Sequence, residues 1–349
     1  MNRTAARSGM NNPAREPPPI TDSQLGQSPI IPHRDFLFES AFMLTATAPD
    51  EVTPLVESAL DIRPLRAIRQ GLSDSGNTIY RVFLPDDRSV ALRISPRPNT
   101  FAFTRHNLTT LRSLGLPVQE VLAAGPTPNG GSFILLSWIP GNDLAHELRH
   151  LTPAQMTQLA EQIVHHQRQV ATLPEAKAFG WAPIGRSGAL SRWTDLFGEP
   201  AAPEALDDGT PLGQLRARLS RLRATLEPYF TTVRPTPFLD DVTTKNILLH
   251  NHALAGIIDI DFVCHGDPLL AVGSTMALIA ADAHPPSTFY AQELARLWTP
   301  SDAQKTALSF YAALWTIGLL SATDPTTHPD RAHALTAAAT LWLTPNEHA

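Results

Sequence analysis

Cysteine occurs once in this chain, at Cys264. That excludes an intrachain disulfide and fits a reducing compartment, so a cytoplasmic location is expected. Lysine occurs three times, at Lys177, Lys245 and Lys305, and the formal net charge is -6. A negative balance speaks against nucleic acid or an anionic membrane as a partner. No apolar run approaches the roughly 20 residues of a membrane span. The longest, "LLAVGSTMALIAA" over 269–281, reads as a buried helix. Residues 1–32 are rich in Pro, Ser and Asn and lack the apolar segment of a secretory signal. They are expected to form a disordered tail.

The 349 residues, 43% of them hydrophobic, suffice for two lobes with a sizeable core. Residues 33–60 carry apolar residues at helical spacing. From Leu65 the texture changes to short β-type runs: "LRAIRQGL", "NTIYRVFL", "SVALRIS", "VQEVLAAG" and "SFILLSWI". "FAFTRHNLTTLRSLG" interrupts them with helical spacing and stops at Gly115. These segments predict a five-stranded antiparallel unit with one helix inserted after the third strand. Beyond "PGND" (140–143) helix dominates. Thr152, Pro153 and Gln155 form a capping-box start, and Met156, Leu159, Ile163, Val164 and Val170 line one face of the helix that follows. "PLGQLRARLSRLRATLEPYF" reads as a second long helix. The expected fold is α+β: an N-lobe over 33–138, with a small antiparallel sheet, and a larger, mainly helical C-lobe over 139–349.

The segment "FLDDVTTKNILLHNHALAGIIDIDF" (238–262) gathers four carboxylates and an Asn around a hairpin. "NILLH" and "ALAGIID" are short apolar runs joined by "NHA". Pairing them sets Asn246 beside Asp259, roughly 5 Å apart between α-carbons. An amide oxygen and a carboxylate so placed form half a shell for Mg²⁺, which takes oxygen ligands and completes its shell from water and phosphate. Carboxylates crowded this closely need a compensating cation. An isolated D-x-D also occurs on solvated strand ends, and it belongs as well to metal-dependent glycosyltransferases. The antiparallel pattern of 65–138 does not match the parallel nucleotide-sugar domain those enzymes need.

A catalytic Asp, an Asn five residues on and a metal-binding Asp after the next hairpin resemble the protein-kinase-like fold. Within it, "LDDVTTKN…IDIDFVCHGDP" is similar to the "HGDxxxxN…IDxxxxxxGDP" of the aminoglycoside phosphotransferase family and its choline-kinase-like relatives. The resemblance spans roughly residues 65–285. It implies a small-molecule kinase that uses ATP or GTP with Mg²⁺ on a small hydroxyl-bearing substrate. By resemblance, Asp241 orients or accepts the proton of that hydroxyl, while Asn246 and Asp259 hold the metal. Lys245 either reaches the transferring phosphoryl group or faces solvent. Ser73, Ser75, Gly76 and Asn77 would bring backbone N–H groups to the phosphates, and Ser137 and Ile139 would read the nucleotide base at the hinge. Asp261 is a candidate outer ligand, and Asp267 is expected to brace its loop through backbone hydrogen bonds.

Three features depart from the family pattern. Arg93 stands where the third strand carries a Lys, and the two are not interchangeable. The following helix lacks its usual acid, with His106 near that place and Glu120 as one substitute partner. Leu239 replaces a scaffold His. These departures leave a nucleotide-binding pseudokinase as the alternative. Between Arg192 and Arg216 lie Asp195, Glu199, Glu204, Asp207 and Asp208. This acidic segment reads either as an attractor for a cationic substrate or as a solvated insertion. Trp193 either packs it or stacks on a sugar ring.

Overall fold

The computed structural model describes residues 51–72, 76–282 and 287–344. The 1–32 tail and the helical spacing expected over 33–50 lie outside them. Helix α1 (Val52–Leu60) presents Val52, Leu55 and Val56 on one face and ends at Asp61, whose φ of 55° turns the chain. Strands β1 (Arg66–Leu72), β2 (Thr78–Phe83) and β3 (Ser89–Ser95) follow, then helix α2 (Thr104–Ser113), β4 (Val121–Pro126) and β5 (Ser132–Ser137). They form one antiparallel sheet in the order β1-β2-β3-β5-β4. The five strands and the inserted helix match the sequence expectation. Strand β3 is buried on both faces. Val90 and Leu92 pack with α1, while Ala91 joins Ile134 and Leu136 in the core shared with the C-lobe. Each buried Val, Leu or Ile among them contributes about 1.5–3 kcal/mol. That core fixes the position of Arg93, one residue beyond Leu92.

The second lobe opens with β6 (Asn142–Asp143), α3 (Leu144–Glu147) and α4 (Pro153–Val170). The capping box of Thr152 and Gln155 is present, and the expected face of α4 is buried. Strand β7 (Gly180–Ala182), α5 (Pro203–Leu206), α6 (Pro211–Thr225) and α7 (Glu227–Phe230) come next. The sequence predicts one helix over 211–230, but it breaks at Leu226, two residues before Pro228, which has no N–H to continue the ladder. Strands β8 (Thr236–Phe238), β9 (Ile247–His250), β10 (Ala253–Ile257) and β11 (Val263–Gly266) build two small sheets, β10-β9-β6 and β7-β11-β8. Helices α8 (Leu269–Ala281), α9 (Ser287–Trp298), α10 (Asp302–Ser321) and α11 (Pro329–Trp342) complete the lobe. The long apolar run is indeed a buried helix, α8, seated on α10. A Cβ on Gly273 would lie 2.5 Å from the Cβ of Tyr311, so the glycine permits that close approach. Among the described residues no helix is long and apolar enough to cross a membrane.

Candidate active site

Strands β9 and β10 are joined by a two-residue turn, Asn251-His252, with φ of 52° and 63°. This is the left-handed pair that matches strand twist in a tight hairpin. The expected three-residue turn is one residue too long, because Ala253 already pairs with His250. A bulge between Leu254 and Gly256 then shifts the register. As a result Ile258, not Asp259, lies opposite Asn246, with its N–H 2.9 Å from the Asn246 carbonyl. Asp259 follows with φ 61°, a conformation that costs a residue with a Cβ about 1–2 kcal/mol. The hairpin is tied to the N-lobe lead-in, since the Ile257 N–H donates to the Pro117 carbonyl at 2.8 Å. Gly256 allows this packing: a Cβ there would lie 2.4 Å from Ile139 Cδ1 and 2.9 Å from the Pro117 oxygen.

The loop before β9 is gripped from α4. Gln167 accepts from the Leu239 N–H at 3.0 Å and donates to the Leu239 carbonyl at 2.6 Å. Leu239 itself is buried, so an apolar residue fills the scaffold position and a glutamine braces it. The Trp181 indole N–H donates to Asp240 at 2.6 Å. Asp241 accepts from the Thr243 hydroxyl at 3.2 Å, and the Asn246 amide donates to the Asp241 carbonyl at 3.0 Å. That bond uses the nitrogen end of Asn246, so its amide oxygen is the end that could coordinate a metal. Asp240, Asp241, Asp259 and Phe262 line one small cavity. Lys245 is half-buried on the same loop.

Arg93 enters the cleft from β3 and is almost fully buried. It makes a bidentate pair with Asp261, at 3.2 and 2.8 Å, and a further ion pair with Asp259 at 2.9 Å. Its guanidinium also lies 5.1 Å from the Phe101 ring centroid. Burial alone would lower the Arg93 pKa, but Asp261 and Asp259 outweigh it and hold it above its ordinary value. The acid that α2 lacks is therefore supplied by Asp261. Glu120 is not the partner: its side chain is 61% exposed and lies 3.9 Å from Arg112. Helix α2 instead holds Asp261. The Thr104 hydroxyl donates to its carboxylate at 2.7 Å, and the Asn107 amide donates to its carbonyl at 2.6 Å. His106 meets the Ile184 carbonyl at 3.1 Å. The four carboxylates are thus not one uncompensated cluster, since Arg93 pairs with two of them and Trp181 holds a third.

Asp267 is buried and braced by more than backbone. It accepts from Tyr229 at 2.6 Å, Tyr311 at 2.8 Å and the Leu269 N–H at 3.0 Å. Burial still pushes its pKa up. Trp193 is a core residue, 1% exposed, and donates to Tyr311 at 2.8 Å. It does not stack in the cleft. Asp195 pairs with Arg192, and Asp207 and Asp208 accept from the turn leading into α6.

The nucleotide-loop and hinge residues divide. Ser73 and Ser75 lie outside the described residues. Gly76 has φ 80° with open space around it, whereas the Asn77 side chain is buried. At the hinge, the Ser137 N–H donates to the Glu120 carbonyl at 2.8 Å, and its carbonyl accepts from Gln119 at 2.9 Å. These bonds tie Ser137 to the strand β4 side of the N-lobe, and its carbonyl keeps a second lone pair. Ile139 rests against Gly256.

Asn246 and Asp259 supply two hard oxygen donors, which fits Mg²⁺ better than softer metals. No group of three or more His, Cys, Asp or Glu forms a metal cage among the described residues.

A family model described as the phosphotransferase enzyme family matches residues 67–308. Solved structures share the fold at low identity. A thermostable mutant of aminoglycoside phosphotransferase APH(4)-Ia in its apo form is 17% identical, with a TM-score of 0.62, over 85% of this chain and 100% of that one. A further variant of that thermostable mutant, in a ternary complex with ADP and hygromycin B, is 15% identical with a TM-score of 0.60 over 84% and 98%. A putative fructosamine-3-kinase from Thermobifida fusca is 16% identical with a TM-score of 0.51 over 83% and 100%. No curated protein sequence matches the chain.

Proposed function

This chain belongs to the phosphotransferase enzyme family and is a small-molecule kinase, and we propose that it moves the γ-phosphate of ATP or GTP to a hydroxyl of a small molecule. The observation that carries this reading is the cleft lined by both Asp241 and Asp259, with Arg93 held beside Asp259. Phosphoryl transfer asks the protein mainly for positioning and charge compensation. Asp241 accepts a hydrogen bond from the acceptor hydroxyl and takes its proton as that oxygen bonds to the γ-phosphorus, while the bond to the β–γ bridging oxygen breaks and the nucleoside diphosphate leaves. Thr243 and the Asn246 bridge to its carbonyl keep that carboxylate in place. Asn246 and Asp259 would hold Mg²⁺, which neutralises phosphate charge when bound. Arg93 faces the phosphates, Lys245 approaches the transferring group, and Gly76 and Ile139 border the nucleotide. The neighbouring complex with ADP and hygromycin B supports a nucleotide and a hydroxyl-bearing acceptor as the two substrates. The absent helix acid would favour a pseudokinase. Asp261 supplies that acid, so the active reading is preferred.

Thermal shift with ATP, GTP and UDP-sugars, each with and without Mg²⁺, tests the proposal. At a ligand concentration of 100 times Kd, stabilisation is about 2.7 kcal/mol. We expect it for ATP or GTP with Mg²⁺. A shift with UDP-sugars alone, or with none of the ligands, contradicts the reading.

A further inference from the structure

Arg93 is shared unequally between two carboxylates. Asp261 engages both of its Nη atoms, and Thr104 and Asn107 of α2 hold Asp261 from behind. Asp259 takes only Nη2, through Oδ1 at 2.9 Å, and is the more open of the two, 46% exposed against 20%. The Arg93 Nε is buried with no hydrogen-bond partner in the structure, so the guanidinium is held by its Nη edge alone. The carboxylate suited to a divalent ion therefore already has a fixed cation at hydrogen-bond distance. Two cations on one carboxylate repel, and burial weakens the screening that would hide this. A guanidinium cannot escape by losing its proton.

We propose that Arg93 is the built-in counter-cation of Asp259 and makes divalent-metal binding at that carboxylate conditional on nucleotide phosphates, with Asp261 as the positioning residue that holds Arg93 there. The identity of the polyanion rests on the phosphotransferase reading. Phosphates bring negative charge that both cations share. A phosphate oxygen then takes the Nη2 hydrogen that serves Asp259, while the other Nη2 hydrogen and Nη1 keep the pair with Asp261. Metal and nucleotide each raise the affinity for the other, as linkage requires. A lysine at this place, with one ammonium and no fork, could not hold one acid bidentately while releasing a second.

The test is Mn²⁺ titration of the nucleotide-free protein, with free Mn²⁺ read by electron paramagnetic resonance. Arg93→Met removes the counter-cation but strands Asp261, so Arg93→Met/Asp261→Asn removes the pair together and Arg93→Gln serves as a third variant. In the double variant we expect Mn²⁺ to bind about tenfold more tightly than in the natural protein. Adding Asp259→Asn should abolish that gain. Equal Mn²⁺ affinity in the natural protein and the variants overturns the proposal, as does a gain that survives Asp259→Asn. The phosphotransferase reading is judged separately, by the same titration of the natural protein with a non-hydrolysable ATP analogue. Failure of the analogue to bind would contradict that reading, whereas a bound analogue with no gain in Mn²⁺ affinity overturns the proposal about Arg93.

Discussion

Gln167 shows how a single side chain holds the loop before β9. Its amide satisfies both the N–H and the carbonyl of Leu239 inside the core. Gln167→Leu strands two buried backbone groups, each costing about 1–3 kcal/mol. We expect a loss of about 2 kcal/mol or more by urea denaturation, with turnover falling as the loop loosens. An unchanged midpoint would show that Leu239 finds another partner. Arg93→Ala should weaken nucleotide binding by about 1.5–3 kcal/mol, the range for hydrogen bonds to a charged group, measured by calorimetry. Untouched affinity would mean that Arg93 does not serve the phosphates. Asp241, Asn246 and Asp259 are legible at this scale because their order and spacing lie within 19 residues of chain. The partner of Arg93 is not. Asp261 is 168 residues away, and Glu120 suggests itself only because it lies nearer in the chain. Thr104 and Asn107 leave a faint signal, two small polar residues on the buried face of α2.

Among the elements, the hairpin shows what periodicity misses. Its strands are evident in the sequence, but a bulge depends on what packs beside it, and Gly256 faces Ile139 and Pro117 from the hinge region. Gly256→Ala should cost about 1–3 kcal/mol, the usual penalty of overpacking, and should lower nucleotide affinity with it. A variant as stable as the natural protein would show that the hinge yields freely. Strand β11 carries a pH dependence. Burial lowers the His265 pKa below its ordinary 6.5. The unfolded chain therefore takes up a proton near pH 6.5 that the folded chain refuses. The stability from neutral His265 is full above pH 6.5 and is lost as pH falls toward the lowered folded value. Melting temperatures of the natural protein and His265→Gln, compared between about pH 7 and 5, should differ in slope, with the variant the flatter. Parallel curves would remove His265 as the cause.

For the whole molecule, the division into a β-rich lobe and a helical lobe is readable from the change of period at Leu65 and again after Gly141. Antiparallel strands and amphipathic helices write their own periods into the chain. The joining of the lobes is not readable. It runs through Arg93, Asp261 and α2, and through the Ile257–Pro117 bond, all contacts between distant segments. In the proposed reading Asp241 is the group that takes the proton, while Asp240 is held by Trp181. The most direct measurement pairs nucleotide affinity by calorimetry with Mg²⁺-dependent release of phosphate from ATP or GTP, for the natural protein, Asp241→Asn and Asp240→Asn. Asp241→Asn should bind nucleotide almost unchanged while turnover falls by about 10²–10⁴-fold, the contribution of a positioned general base. Asp240→Asn should lose far less. An inactive Asp240→Asn beside an active Asp241→Asn would contradict the account.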